Sequence, residues 1–347
     1  MENQEEIKTT PPVIEDPRML VLRFSALGDV AMTIPVVYSL ARQYPKLKID
    51  YATSSQAARL FIDPPSNLKV IPFDLHGIYS GPIGAVKLFK KLSELKPNLI
   101  ADLHNVGRTW ALDSMFKATG AKLAIVDKMR SSRRQVISGK TSHPSFIERY
   151  ADVFKSLGYP VNINFKSVFS HGTPAPPFEI QHPAVGIAPF ARYAGKTYPL
   201  HLMSDVARRL AANGMNVYLF GAAGEEEEKL ESLAHTIDGC ESLAGKFNLD
   251  RELVIMANLD LMITMDSANH HLASLVGTPV LSIWGGTTPA CGFMAYNQPQ
   301  ENALHSDLGC QPCSIAGSNK CARGDFGCLI RLSPEKICEK ALSLIRK

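Results

Sequence analysis

Two aspartates in this 347-residue chain stand where an apolar run gives way to a helical pattern, a position from which a carboxylate can serve a bound substrate. The first is Asp29, in Phe24-Ser25-Ala26-Leu27-Gly28-Asp29. Gly28 permits close approach of backbone or ligand. Asp29 reads either as a helix N-terminal cap or as a general base. A helix N-terminus favours its ionised form and so weakens it as a base; close placement against an acceptor hydroxyl compensates. The second is Asp266, in Asp266-Ser267-Ala268-Asn269-His270-His271. The apolar run LDLMIT ends there and a helix opens at Ser267. Its free N–H groups suit an anion such as phosphate, and the small Ser267 and Ala268 let one come close. The plainer reading is another capped helix, with His271 a packed histidine.

Two further turns follow apolar runs. Gly221-Ala222-Ala223-Gly224-Glu225 comes after VYLF. It lacks the G-x-G-x-x-G fingerprint, as does every other turn after an apolar run, which removes the main support for a nicotinamide dehydrogenase. Glu225 can accept from ribose hydroxyls, or it is one residue of an acidic first helical turn. Arg192-Tyr193-Ala194-Gly195-Lys196 places Lys196 where a point charge would neutralise a diphosphate. No Walker A sequence occurs, so nucleoside triphosphate hydrolysis has no support.

Cys310-x2-Cys313-x7-Cys321-x6-Cys328 puts four thiols in a loop with Gly309, Pro312, Gly317 and Gly324. A structural zinc knuckle, reduced packed thiols and disulfides are the three readings, in that order of ligand count, plain packing and redox compartment.

The elements that must hold these residues alternate. Strands are expected at 19–22, 49–53, 68–73, 99–103 and 121–126, with helices at 30–43, 55–62, 82–95, 109–119 and 145–157. Pro35 inside the first helix predicts a kink or a short first turn. Residues 170–183, with Pro174, Pro176, Pro177 and Pro183, read as a semi-rigid linker. The alternation then restarts, with strands at 185–188, 216–220, 260–265 and 279–284, and helices at 200–213, 224–235, 250–257, 267–276 and 333–346. Two doubly wound α/β domains facing across a cleft follow, at 18–169 and 184–347, after a disordered tail at 1–17.

Composition agrees. Hydrophobic residues at 45% and charged residues at 20% exclude a largely disordered chain, and a net charge of +4 does not by itself imply nucleic acid. No spanning helix or signal sequence is visible, which predicts a cytoplasmic protein.

The segments MLVLRFSALGDVAMTIPVV, AGKTYP, FGAAGEE and LMITMDSANHHLASLVGTPVLSIWGGTTP, in this order, resemble the lipopolysaccharide heptosyltransferases, glycosyltransferase family nine. The resemblance spans roughly residues 19–345. It implies the GT-B fold, with acceptor on the N-terminal domain and nucleotide sugar on the C-terminal one. It implies inverting transfer of a heptose from ADP-heptose to the lipopolysaccharide inner core, with no cofactor needed for catalysis. Asp29 matches the family's catalytic base and Lys196 a lysine on the donor phosphates. Glu225 matches a ribose-binding carboxylate. Phe247 falls where a backbone group meets adenine, and Asp266 lies near the sugar and phosphates. Ser267 and Ala268 match the helix start that holds the diphosphate, and His271 that helix's histidine. Arg192 is a further donor candidate. Ala268 departs from a common glycine, His270 from a common Met, and Thr288 stands where Asp often follows the threonine; these bear on sugar preference.

For the acceptor, Ser25, Gly28 and His104 at two expected strand ends are candidates, with Arg130 and Arg133 of the basic run at 128–134. Such a run suits an anionic lipopolysaccharide precursor, or is a solvated loop. No aromatic residues interleave it, which disfavours nucleic acid. A lipid acceptor makes peripheral contact with the cytoplasmic face of the inner membrane an expectation. The competing readings are a GT-B enzyme using a UDP- or GDP-sugar, and a non-catalytic nucleotide-sugar-binding protein.

Overall fold

A computed structural model describes residues 15–345, so most of the expected tail lies outside the described residues. The chain divides into two compact units, residues through Lys128 with Ile147–Phe165, and Met129–Phe146 with Lys166 onward.

The first unit is built on β1 (Arg18–Leu22), β2 (Lys48–Ser54), β3 (Leu68–Phe73), β4 (Leu99–Asp102) and β5 (Lys122–Ile125), in the order β3-β2-β1-β4-β5. The second is built on β6 (Ala184–Ala188), β7 (Asn216–Leu219), β8 (Cys240–Ser242), β9 (Leu261–Met265), β10 (Val280–Ile283) and β11 (Ala303–Leu304), in the order β11-β10-β9-β6-β7-β8. Every pairing is parallel. In each sheet the first strand is central and the order reverses beside it, between β1 and β4 and between β6 and β9. Crevices at such reversals, outside the strand carboxyl ends, are where open α/β sheets bind ligands.

Burial on both faces explains the continuous apolar runs. Met19, Leu20, Val21 and Leu22 of β1 are fully buried, as are Ile187 of β6 and Leu261, Met262, Ile263 and Met265 of β9. Each such side chain contributes about 1.5–3 kcal/mol relative to exposure.

The first-unit helices are α1 (Leu27–Gln43), α2 (Ser55–Ala58), α3 (Gly81–Ser93) and α4 (Gly107–Ala118); α5 (Arg133–Ile137) and α6 (Phe146–Ser156) follow, and only α6 packs mainly with this unit. The second unit adds α7 (Leu200–Ala212), α8 (Glu225–Ala234), α9 (Leu249–Ala257), α10 (Ala268–Leu275), α11 (Gly327–Ile330) and α12 (Pro334–Ile345). α1 is buried almost all round. Its polar side chains turn inward on the helix: Thr33 Oγ1 donates to the Val30 carbonyl at 2.7 Å and Ser39 Oγ to the Pro35 carbonyl at 2.7 Å. Pro35 lies at its ninth residue with helix on both sides, so it does not mark a short first turn.

Two boundaries differ from the contiguous ones expected. Residues 129–146 pack in the second unit, where His143 N–H donates to the Ala290 carbonyl at 2.8 Å and Phe146 N–H to that of Gly292 at 2.9 Å. The proline-rich segment is laid on that unit. The Pro174 carbonyl accepts from Asn258 Nδ2 at 3.1 Å, and Phe178 stacks on Phe247 with centroids 5.8 Å apart. β8, β11 and α11 were not expected; they are two to four residues long, too short for periodicity to register.

Candidate active site

Each unit carries a pair of polar side chains across its strand-order reversal. In the first, Ser25 follows β1 and His104 follows β4, with Ser25 Oγ 3.4 Å from His104 Nε2. His104 is 8% exposed. Burial, reinforced by the Arg23 and Lys128 charges, pushes it down to about 3, so its imidazole is neutral. The turn that carries it is fixed by Asp102, whose carboxylate accepts from the His104 N–H at 2.7 Å and the Asn105 N–H at 3.0 Å. Asp113 of α4 is buried against Asp102; burial and that neighbouring charge push its carboxyl up to about 8.

Asp29 sits in the first turn of α1 and accepts from the Ala26 N–H at 3.2 Å, so the capping contact exists. Its side chain is 26% exposed, and Arg23 Nη2 lies 2.7 Å from Oδ2. Arg23 is 3% exposed, donates from Nη1 to the Leu103 carbonyl at 2.6 Å, and lies 5.9 Å from the Tyr150 ring centroid. Arg23 thus ties the carboxylate after β1 to the backbone after β4. Gly28 is buried beside it.

In the second unit, Lys196 closes a short 3-10 turn after β6 and Asp266 follows β9. Lys196 Nζ lies 2.7 Å from Asp266 Oδ2, with the side chains 12% and 3% exposed. Thr287 Oγ1 donates to the same oxygen at 2.6 Å. Ser267 is the N-cap of α10 and its side chain makes no capping hydrogen bond, and the first N–H groups of a helix are donors suited to an anion. His271 is buried on α10, stacked on the fully buried His270 at 5.2 Å, which meets Trp284 edge-on at 5.7 Å.

Depth is set by glycines. The Gly286 N–H donates to the Gly195 carbonyl at 2.6 Å, and a Cβ on Gly285 would meet that carbonyl oxygen at 2.2 Å. The lysine loop therefore lies directly on the backbone after β10.

The remaining donor candidates extend along the same edge. Glu225 begins α8 after β7, exposed, with Lys229 Nζ 2.6 Å from Oε1. Phe247 follows β8, half-buried on Phe178. The Gly245 N–H donates to the Gly221 carbonyl at 3.2 Å, joining the loops after β7 and β8. Arg192 is exposed, its guanidinium 5.5 Å from the Tyr193 ring centroid. Since β9, β6, β7 and β8 are consecutive, Asp266, Lys196, Glu225 and Phe247 stand in one row along the carboxyl edge. Phosphate chemistry lies at one end and an apolar platform at the other.

Residues 87–321 match the family model of glycosyltransferase family 9 (heptosyltransferase). The chain belongs to glycosyltransferase family 9. Lipooligosaccharide heptosyltransferase 2 of Haemophilus influenzae is 28% identical over 298 residues, 78% of this chain and 84% of that protein. The solved family 9 glycosyl transferase of Veillonella parvula superposes with a TM-score of 0.72 at 18% identity, covering 97% of this chain and 99% of its own. E. coli heptosyltransferase WaaC with ADP gives 0.67 at 18% identity, covering 94% and 99%. This likeness shows the GT-B fold of two Rossmann-like domains.

Within this glycosyltransferase, Arg130 and Arg133 are exposed and fall in the second unit, whereas Ser25, Asp29 and His104 fall in the first. Cys310, Cys313, Cys321 and Cys328 line one small cavity. Among the described residues, no three His, Cys, Asp or Glu side chains are grouped to hold a metal ion. Cys313 Sγ turns to the Gly286 carbonyl at 3.6 Å, and Cys328 packs in the apolar core, where burial pushes its thiol up to about 11. Sequence reasoning missed Arg23, Thr287 and the Asp102–Asp113 pair. The signal for Arg23 was present: a single charge at the end of the apolar run LVLRF.

Proposed function

We propose that this enzyme transfers a heptose, with inversion, from ADP-heptose to the lipopolysaccharide inner core, acting in the cytoplasm at the inner membrane. The observation that carries the donor half is the Lys196–Asp266 pair beside the uncapped start of α10. The diphosphate would lie at β6 and β9, its charge met by Lys196 and the amides at Ser267 and Ala268. Asp266, already satisfied by Lys196 and Thr287, holds the ammonium in place rather than repelling the phosphates. The nucleoside would run toward Glu225 and the Phe247 backbone, with His271 behind the phosphate site.

For the acceptor half, Asp29 takes the proton of the attacking hydroxyl as that oxygen bonds to the anomeric carbon. The bond from that carbon to the diphosphate breaks on the opposite face, and its electron pair leaves on ADP. Lys196 and the helix amides stabilise that departing charge. Arg23 orients Asp29, while Ser25, Gly28 and the neutral His104 supply the acceptor surface. Asp29 in the first unit and Lys196 in the second are thereby given separate tasks, base and leaving-group stabiliser.

The test is turnover of ADP-, UDP- and GDP-linked sugars with a deacylated inner-core acceptor. ADP-heptose is expected to be consumed with inverted configuration in the product. Preference for a UDP- or GDP-sugar overturns heptose as the donor, and nucleotide binding with no turnover of any sugar overturns the catalytic reading.

A further inference from the structure

Among the described residues, the exposed large apolar side chains include three that fall within nine positions: Ile78 at 66%, Ile83 at 74% and Val86 at 58%. Ile78 stands in the turn leading into α3, and the other two are on α3 itself. The inner face of that helix is accounted for. Gly84, Ala85, Leu88 and Leu92 are buried, and Phe89 meets Phe116 of α4 with centroids 4.9 Å apart. The turn is held against the helix start, since the Gly84 N–H donates to the Ser80 carbonyl at 3.1 Å and a Cβ on Gly84 would lie 2.2 Å from the Tyr79 carbonyl carbon.

The outer face has its own order. Ile83, Val86, Lys87 and Lys90 are spaced i, i+3, i+4 and i+7, one continuous stripe opposite Leu88 and Leu92, and all four are exposed. The N-terminal half of the stripe is apolar and the C-terminal half cationic. Residues 81–93 contain three lysines and no Asp or Glu. Lys91 is engaged by Glu94 at 2.7 Å, while Lys87 and Lys90 form no ion pair among the described residues. Singly exposed apolar residues are ordinary; an apolar stripe continuous with unpaired lysines is what an interfacial helix presents to lipid.

We propose that the outer face of α3, with Ile78, docks this glycosyltransferase on an anionic lipid surface. The apolar side chains enter the acyl boundary while Lys87 and Lys90 lie at the headgroup phosphates. No helix of the described residues is long and apolar enough to cross a membrane, and contact through one helical face requires none. This deepens the proposed placement at the inner membrane by naming the surface that makes the contact, and it is separate from the proposed reaction, because the lysines would recognise anionic headgroups with neither donor nor acceptor present.

The experiment is vesicle flotation of the full chain, without substrates, on phosphatidylcholine alone and on phosphatidylcholine mixed with phosphatidylglycerol. Binding to the anionic vesicles is expected, weakened by salt, with little on phosphatidylcholine. Replacing Ile83→Glu and Val86→Glu together should abolish it. Lys87→Gln and Lys90→Gln should each weaken it about five-fold, the effect of one surface charge. A cooperative thermal unfolding transition, read on every variant without ligand, shows that each is folded. Undiminished binding by the folded double variant overturns the proposal, as does failure of the unaltered protein to bind anionic vesicles. Concentration-dependent self-association abolished by the same variant would also overturn it, since a second copy would then cover the stripe. Flotation reads no turnover, so its failure leaves the proposed reaction standing, and failure of the reaction leaves the lipid contact standing.

Discussion

The Asp29 carboxylate is held 2.7 Å from the guanidinium of Arg23, and Arg23 reaches the Leu103 carbonyl at 2.6 Å, so the group after β1 takes its position from the backbone after β4. A carboxylate placed this way depends on its partner for direction as well as charge.

Asp29→Asn should lower kcat by about 10²–10⁴-fold, the usual worth of a general base, with donor affinity retained. Arg23→Lys should act in the same direction by up to about 100-fold, because a displaced but intact carboxylate remains. Steady-state kinetics beside ADP titration checks both. Full turnover in the Asn variant would remove Asp29 from its role.

Lys196→Ala leaves Asp266, 3% exposed, without its cation. A loss of about 3–5 kcal/mol of stability in the absence of donor is expected, with a large rise in the ADP dissociation constant. Replacing Asp266→Leu together with Lys196→Met should recover much of the stability and none of the activity. Denaturant unfolding and ADP binding separate the two effects.

Asp113 gives a pH prediction with a definite sign. Its folded carboxyl is raised from 3.8 to about 8, so between those values the folded state keeps a proton that the unfolded chain has lost. Stability on this account falls as pH rises through that window and levels off above it. Asp113→Asn removes the titration while keeping a group of the same shape. Its melting temperature should fall less than that of the unaltered protein between about pH 5 and about pH 8. Glu252, raised to about 7 by burial, is common to both proteins and cancels in the comparison.

The cysteine loop separates by burial. Cys310→Ser, at an exposed site, should change stability by less than about 0.5 kcal/mol, while Cys328→Ser, in the core, should cost about 1–3 kcal/mol. Equal and large losses at all four positions would instead indicate a shared metal. Chemical denaturation of the single variants, with metal analysis of the purified protein, decides between them.

Much of this arrangement was legible before any coordinates. The runs at Met19–Leu22 and 260–265 end in Asp29 and Asp266 motifs because strands buried on both faces are written as unbroken apolar stretches, and their ends are where open sheets bind ligands. Arg23 was not legible as a partner, since its contacts, Asp29 and Leu103, depend on β1 and β4 being neighbours. The return of residues 129–146 to the second unit also rests on distant contacts, to Ala290 and Gly292, that no local pattern encodes. The cysteine spacing invited a metal; Cys313 turns to a backbone carbonyl, Cys328 packs in the apolar core and Cys310 is exposed, differences of burial that spacing alone does not encode. The α3 stripe has the period of an amphipathic helix, but only packing reveals that its outer side holds isoleucine and valine.

Gly285 touches no proposed substrate group, yet a methyl there would meet the Gly195 carbonyl oxygen at 2.2 Å, one residue from Lys196. Any larger side chain must lift the whole turn and draw its ammonium away from Asp266. The floor beneath Lys196 is therefore a single hydrogen atom, and a mutation search confined to ligand-facing positions would pass over the residue that calibrates how far that charge projects.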